Sequence, residues 1–182
     1  MLLIPSNGLE YKQISNGTVS KCYQYKNIIK KIYNLENNRM DYEINALHSL
    51  RQYRGFPYLY KIDKNNRTIY MSDVGKSFKE IKKEEDLPSD LQDQIDLIIS
   101  ALKQNNIFHR DLSISHFRLK DNIVSLIDFE KCWYTKEQFD SNKNNKTACW
   151  KKLKYHNMDY IKEIINKYIK ITFKNYDNIL LI

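Results

Sequence analysis

The sequence predicts an α+β protein, strand-rich with a single helix in its first part and mainly helical afterwards. Short alternating apolar runs, bounded by Asn, Gly and Asp, fill the chain before residue 72, and apolar residues recur at helical spacing from Leu91 onward. With 182 residues, 42% of them hydrophobic, there is enough chain for one packed domain or two small lobes around a cleft. Mean hydropathy is −0.66, and no apolar run reaches the ~18 residues of a membrane span. Met1 to Pro5 is too short for the apolar core of a signal peptide, so a soluble, cytoplasmic protein is expected.

Ile14 to Tyr23 holds an Asn16-Gly17 turn signal between extended segments, and Asn27 to Tyr33 is an apolar, Lys-rich strand. From Asn38 to Leu50, residues Met40, Ile44, Leu47 and Leu50 mark one helix face, with Asn37 or Asn38 as N-cap. Tyr58 to Ile62 and Thr68 to Met71 are two further strands, joined by the polar turn Asp63 to Arg67. Ser72 to Lys76 is a Gly-containing connector. The next helix carries Leu91, Ile95, Ile98 and Leu102 on one face and is entered through Pro88 and a Ser89-x-x-Gln92 capping box. Phe117 to Lys120 and Ile123 to Asp128 form a hairpin around Asp121-Asn122. A polar loop, Asp140 to Lys146, and a helix, Met158 to Ile169, follow; no internal repeat is evident.

The 30 basic and 22 acidic residues give +8 at pH 7, a charge that suits a phosphate backbone when it is clustered. Here Lys and Arg are spread along the whole chain rather than gathered on one aromatic-interleaved face, so nucleic acid is not the expected partner. Abundant Asn, Lys, Ile and Tyr beside only 4 Gly and 3 Pro would follow from an AT-rich genome, viral or bacterial, which attributes part of the charge to codon bias. Cys22, Cys132 and Cys149 are odd in number and widely spaced, which fits reduced thiols better than disulfides or zinc ligands.

The chemistry gathers at the hairpin. A two-residue turn pairs Lys120 with Ile123, and the register then sets His116 opposite Ile127 and Ser115 opposite Asp128. Asp111, in the preceding loop, comes to the same end. Two carboxylates and an imidazole at one point suit a metal-bound polyphosphate, with one carboxylate on a divalent cation and the other beside an attacking hydroxyl.

His109-Arg110-Asp111-Leu112 and Ile127-Asp128-Phe129 resemble the catalytic loop and metal motif of the protein-kinase-like superfamily. Ile14 to Tyr23 is similar to its phosphate-covering loop but keeps one of the glycines, Gly17. Ile28-Ile29-Lys30-Lys31-Ile32 resembles the strand with the phosphate-binding lysine; Lys30 is the better candidate and Lys31 the alternative. Glu43 borders the apolar face of its helix and is the expected ion-pair partner. Met71-Ser72-Asp73-Val74-Gly75 resembles the hinge past the adenine, with Met71 as gatekeeper.

The resemblance implies a bilobal fold: an antiparallel-sheet N-lobe with one helix over residues 1–71, a hinge over 72–76, and a shortened, mainly helical C-lobe over 77–182. It implies an ATP-dependent phosphotransferase whose acceptor is a hydroxyl of a protein Ser/Thr, a sugar or another small compound. Asp111 would receive the hydroxyl, Arg110 would brace the loop, and Lys30 and Glu43 would form the cleft pair. Gly17, Thr18, Ser20, Ile28, Lys30, Met71, Asp73 and Val74 would bind nucleotide, and Asp128 with His116 would hold Mg²⁺ or Mn²⁺.

Several positions depart from the family pattern. His116 stands where an Asn is usual, as in the similar lipopolysaccharide-core sugar kinases; imidazole suits Mn²⁺ better than Mg²⁺, and its alternative role is a hydrogen bond to the loop backbone. Glu130 replaces a glycine and is expected at the surface, Ser113 replaces a lysine, and Cys22 is expected to pack. No Ala-Pro-Glu-like motif follows, so a reduced platform for protein substrates is expected, and Asp159 is a candidate brace for the catalytic loop. A catalytically impaired relative that binds nucleotide or partners is the alternative reading.

Overall fold

The computed structural model describes residues 10–34, 39–81, 83–109 and 111–132. Short alternating runs fold as successive hairpins: β1 (Lys12–Asn16), β2 (Ser20–Tyr25) and β3 (Ile28–Tyr33) pair antiparallel in chain order. β4 (Leu59–Asp63) and β5 (Thr68–Ser72) form a second hairpin that joins through β5, giving the sheet order β1-β2-β3-β5-β4. The polar turn between β4 and β5 closes because the Asp63 carboxylate accepts from the Asn66 backbone N–H at 3.1 Å and its side-chain amide at 2.8 Å. Between the hairpins lies α1 (Arg39–Leu50), whose predicted stripe Met40, Ile44, Leu47 and Leu50 is buried.

Beyond the connector, β6 (Lys76–Ser77), β7 (Phe117–Lys120) and β8 (Ile123–Leu126) form a three-stranded sheet in the order β6-β7-β8. The architecture is α+β: a five-stranded antiparallel sheet, a small second sheet and two α-helices. Asp121 and Asn122 both take positive φ, 50° and 59°, which gives the I′-type turn that matches strand twist and sets Lys120 opposite Ile123 and Phe117 opposite Leu126.

α2 (Leu91–Gln104) buries Ile95, Ile98 and Leu102, as its spacing predicts, while Leu91 is half-buried. Its start differs from expectation. Asp90 is the N-cap and makes no side-chain capping bond, and the Gln92 amide donates instead to Asp96 at 2.9 Å, so the Ser89-x-x-Gln92 box does not form. Gln94 turns inward: its amide donates to the Asn122 carbonyl at 2.9 Å and its oxygen accepts from Val124 N–H at 2.8 Å, fastening the β7–β8 hairpin to the helix.

One apolar cluster runs from α1 through Ile69 and Met71 of β5 to Ile95 and Ile98 of α2 and Phe117, Val124 and Leu126 of the second sheet. Each fully buried member contributes about 2 kcal/mol. Gly75 fixes the connector, because at φ 89° an added Cβ would lie 2.2 Å from the Leu119 carbonyl oxygen. Among the described residues no helix is long and apolar enough to cross a membrane. The Asn37 or Asn38 cap, Arg110, Cys149, Asp159, the Asp140 to Lys146 loop and the Met158 to Ile169 helix lie outside the described residues.

Candidate functional site

A cleft of about 1420 Å³ opens between the two sheets, walled by the β1–β2 turn, β3, the connector, β7 and the residues after β8. Strand parity decides what β3 presents to it. Tyr33 is buried beneath α1, and its hydroxyl donates to Glu43. Period two then carries Lys31 and Ile29 to the same side, and both line the cleft.

Lys31, not Lys30, is therefore the cleft lysine. Lys30 lies on the opposite face, level with Tyr23 and Tyr70, its ammonium 5.4 Å from the Tyr11 ring centre and 6.0 Å from that of Tyr70. The same parity corrects the apolar wall: Ile29 lines the cleft, and Ile28 does not.

Lys31 is 4% exposed, and its ammonium meets three carboxylates: Glu43 at 2.6 Å, Asp128 at 2.8 Å and Glu130 at 3.3 Å. Burial alone would lower the lysine pKa, but Glu43, then Tyr33, Asp128 and Glu130, outweigh it and hold Lys31 charged well above its ordinary range. Burial likewise pushes Asp128 up, yet the Lys31 charge and hydrogen bond, with His116 and His109 behind, bring it down to about 2. Glu43 is raised by burial, with Lys31 working against the rise. Asp128 itself adopts a left-handed backbone, φ 72°, the step that turns the chain into the helical turn Phe129–Lys131.

Glu130 is a second correction. Expected at the surface, it is 6% exposed and accepts from the Ser20 hydroxyl at 3.3 Å, so it links the start of β2 to the residues after β8. Packing of its neighbour Phe129, fully buried against Phe56 and His109, pulls Glu130 inward.

His109 is fully buried, and burial lowers its pKa to about 4. The neutral ring donates from Nε2 to the Ile127 carbonyl at 2.8 Å, tying the loop to the strand end. Ile127 N–H in turn donates to the His116 carbonyl at 3.0 Å, the pairing that the register predicts. His116 donates from Nδ1 to the Asp111 carbonyl at 2.6 Å, and its Nε2 lies 3.4 Å from Asp128 Oδ2. One ring nitrogen thus bonds the loop backbone while the other faces Asp128. Ligand atoms of Asp111, His116 and Asp128 lie within 4.8 Å of one another. Those of Glu43, Asp128 and Glu130 are as close, but Lys31 already sits among them.

Gly17, Thr18 and Ser20 line the cleft, as do Met71, Asp73 and Val74. Gly17 N–H donates to the Ser20 carbonyl at 3.0 Å, closing the β1–β2 turn, while the Asn34 side-chain amide holds the Thr18 carbonyl at 2.5 Å. The Asp73 carboxylate is committed within the protein, accepting from Gly75 N–H, the Gln24 amide and Lys120 Nζ. Cys22 also lines the cleft; burial raises its thiol, which fits packing rather than redox chemistry. Asp111 is held from the cleft wall by Lys131, whose ammonium donates to Oδ2 at 2.5 Å.

Spacing gives no sign of Lys131, Glu130 or Gln94. For Lys31 a signal existed in Tyr33, whose aromatic ring two residues on marks the buried face of β3. The chain matches no protein-family model and no curated protein.

Proposed function

We propose that this chain is an ATP-dependent phosphotransferase with a bilobal, protein-kinase-like fold. In this reading the five-stranded sheet with α1 is the N-lobe, residues 72–76 are the hinge, and the three-stranded sheet with α2 belongs to a shortened C-lobe. One observation carries it: a buried lysine lining the cleft from β3 bonds a carboxylate from α1 and another that follows β8, and ligand atoms of His116 and Asp111 lie within 4.8 Å of that second carboxylate. A buried cation beside an ionised carboxylate suits the counter-charge and the metal ligand that a polyphosphate needs, which supports this reading.

ATP would lie with its adenine against Met71 and the connector and its phosphates under the Gly17 to Ser20 turn, toward Lys31. The acceptor hydroxyl, of a protein Ser/Thr or a sugar, forms the new bond to the γ-phosphorus, while the bond to the bridging oxygen breaks and its electron pair leaves with ADP. Asp111 accepts the hydroxyl proton. Asp128 and the His116 Nε2 lone pair fit a divalent cation, Mn²⁺ better than Mg²⁺, which when bound offsets phosphate charge. With a cation bound, Asp128 would give up its hydrogen bond with Lys31 to hold it, and the Lys31 ammonium, still paired with Glu43 and Glu130, would face the phosphate oxygens.

A binding-only protein is the second reading, favoured by the committed Lys31–Asp128 contact and by Glu130 beneath the β1–β2 turn. Thermal melting with ATP and Mg²⁺ or Mn²⁺, together with transfer of labelled γ-phosphate, tests both. The phosphotransferase is expected to be stabilised and to transfer label, and Asp128→Asn is expected to lose transfer by at least about 100-fold while keeping its circular dichroism. Stabilisation without transfer selects the second reading; neither effect with either metal rejects both.

A further inference from the structure

We propose that the outer face of the five-stranded sheet is a docking surface for single-stranded nucleic acid. What is spread along the chain is gathered there by the strand register. Gln13 pairs with Tyr23, Tyr23 with Lys30, Lys30 with Tyr70 and Tyr70 with Lys61, so one row crosses all five strands. At ~4.8 Å between strands the row is about 19 Å long, and from β2 to β4 ring and ammonium alternate along it. None of its members lines the cleft. β3 thus presents Lys31 to the cleft and Lys30 to the outer face, and the docking surface stands whatever the cleft does.

Neighbouring contacts widen the row into a patch. The Tyr11 and Tyr25 ring centres are 5.6 Å apart. The Lys30 ammonium lies 5.4 Å from the Tyr11 ring centre and 6.0 Å from that of Tyr70, Lys61 lies 5.8 Å from Tyr70, and Lys26 lies 5.3 Å from Tyr25. The four rings are half-buried, and Lys26 and Lys61 are exposed.

Charge and chemistry select the occupant. The five strands contain one carboxylate, Asp63 at the end of β4, and Asn66 engages it through two hydrogen bonds. Among the described residues no carboxylate pairs with Lys26, Lys30 or Lys61, so the patch carries uncompensated positive charge. Phosphates answer the ammonium groups, and unstacked bases answer the rings, since every base has a π-face. A duplex keeps its bases stacked on one another, and a sheet face offers no helix or ribbon to enter its grooves. An acidic peptide would answer the charge and leave the rings unused.

The test is fluorescence anisotropy with the full chain and a labelled oligo-dT of about 20 nucleotides, beside a duplex of equal length and a poly-Glu peptide. The single strand is expected to bind at least about 10-fold tighter than either competitor. Its log Kd should rise with log salt with a slope of about 2, the value for three lysines on a single strand, and the Lys30→Gln/Lys61→Gln double variant should lower that slope by about 1.4. Tyr70→Leu should weaken binding at least about 5-fold, while Tyr70→Phe, which keeps the ring, should stay within about 2-fold of wild type. The double variant carries the test if Tyr70→Leu lowers the melting temperature too far to be read. No binding at about 50 mM salt, equal affinity for the duplex or for poly-Glu, or an unchanged salt slope in the double variant overturns the proposal. Folded Tyr70→Leu that binds like wild type overturns it too.

Discussion

Lys30 and Lys31 are neighbours on one strand, yet they inhabit different chemical worlds. Lys31 is sealed beneath α1 with three carboxylates around its ammonium, whereas Lys30 lies over tyrosine rings on the outer face, half-exposed. The strand's period of two makes the difference, and Tyr33 sets the phase by burying its ring on the side of Glu43. A lysine's role in this fold is therefore a property of parity, not of its immediate sequence.

The largest expected effect breaks the inner face. Lys31→Ala strands Glu43 and Glu130 without their shared cation in a buried place, and should cost about 3–5 kcal/mol in urea unfolding. Next comes acid lability of the neighbouring loop. His109 has its pKa lowered to about 4 against 6.5 for the free side chain, so between those values the unfolded chain binds a proton that the folded chain refuses. The His109 contribution to stability should thus fall as pH drops from 6.5 toward 4, by about 3 kcal/mol, and that part of the slope should be absent in His109→Gln, which donates to Ile127 without titrating. Asp128, lowered to about 2 from 3.8, adds stability that is present above pH 3.8 and lost below it, so its contribution falls outside most of that window.

Gly75→Ala should follow, at about 2 kcal/mol or more, because the strained φ and the Leu119 carbonyl leave a methyl no room. Lys30→Ala is the smallest: the loss of a half-exposed cation over two rings should stay within about 0.5–1 kcal/mol by the same unfolding measurement.

Much of this arrangement was legible in the sequence. The hairpin register followed from Asp121-Asn122 because two residues with positive φ leave one pairing, and it placed His116 against Ile127 as found. The α1 and α2 stripes followed from spacing, and Glu43 from its place at the edge of the α1 stripe. What escaped depends on contacts distant in the chain. Glu130 turns inward because Phe129 packs on Phe56, and Ser20, far back in the sequence, meets its carboxylate. Asp90 rather than Ser89 precedes α2, and Gln94 is drawn inward by the hairpin's own unpaired groups, neither of which local propensity encodes.

The most direct measurement is transfer of labelled γ-phosphate by Lys30→Ala and Lys31→Arg side by side, the second retaining a buried positive charge but not the compact ammonium that meets three carboxylates. The account predicts that Lys30→Ala stays within about 2-fold of wild type and that Lys31→Arg falls by at least about 100-fold while remaining folded. Equal losses in the two variants, or a silent Lys30→Ala beside an active Lys31→Arg, would contradict it.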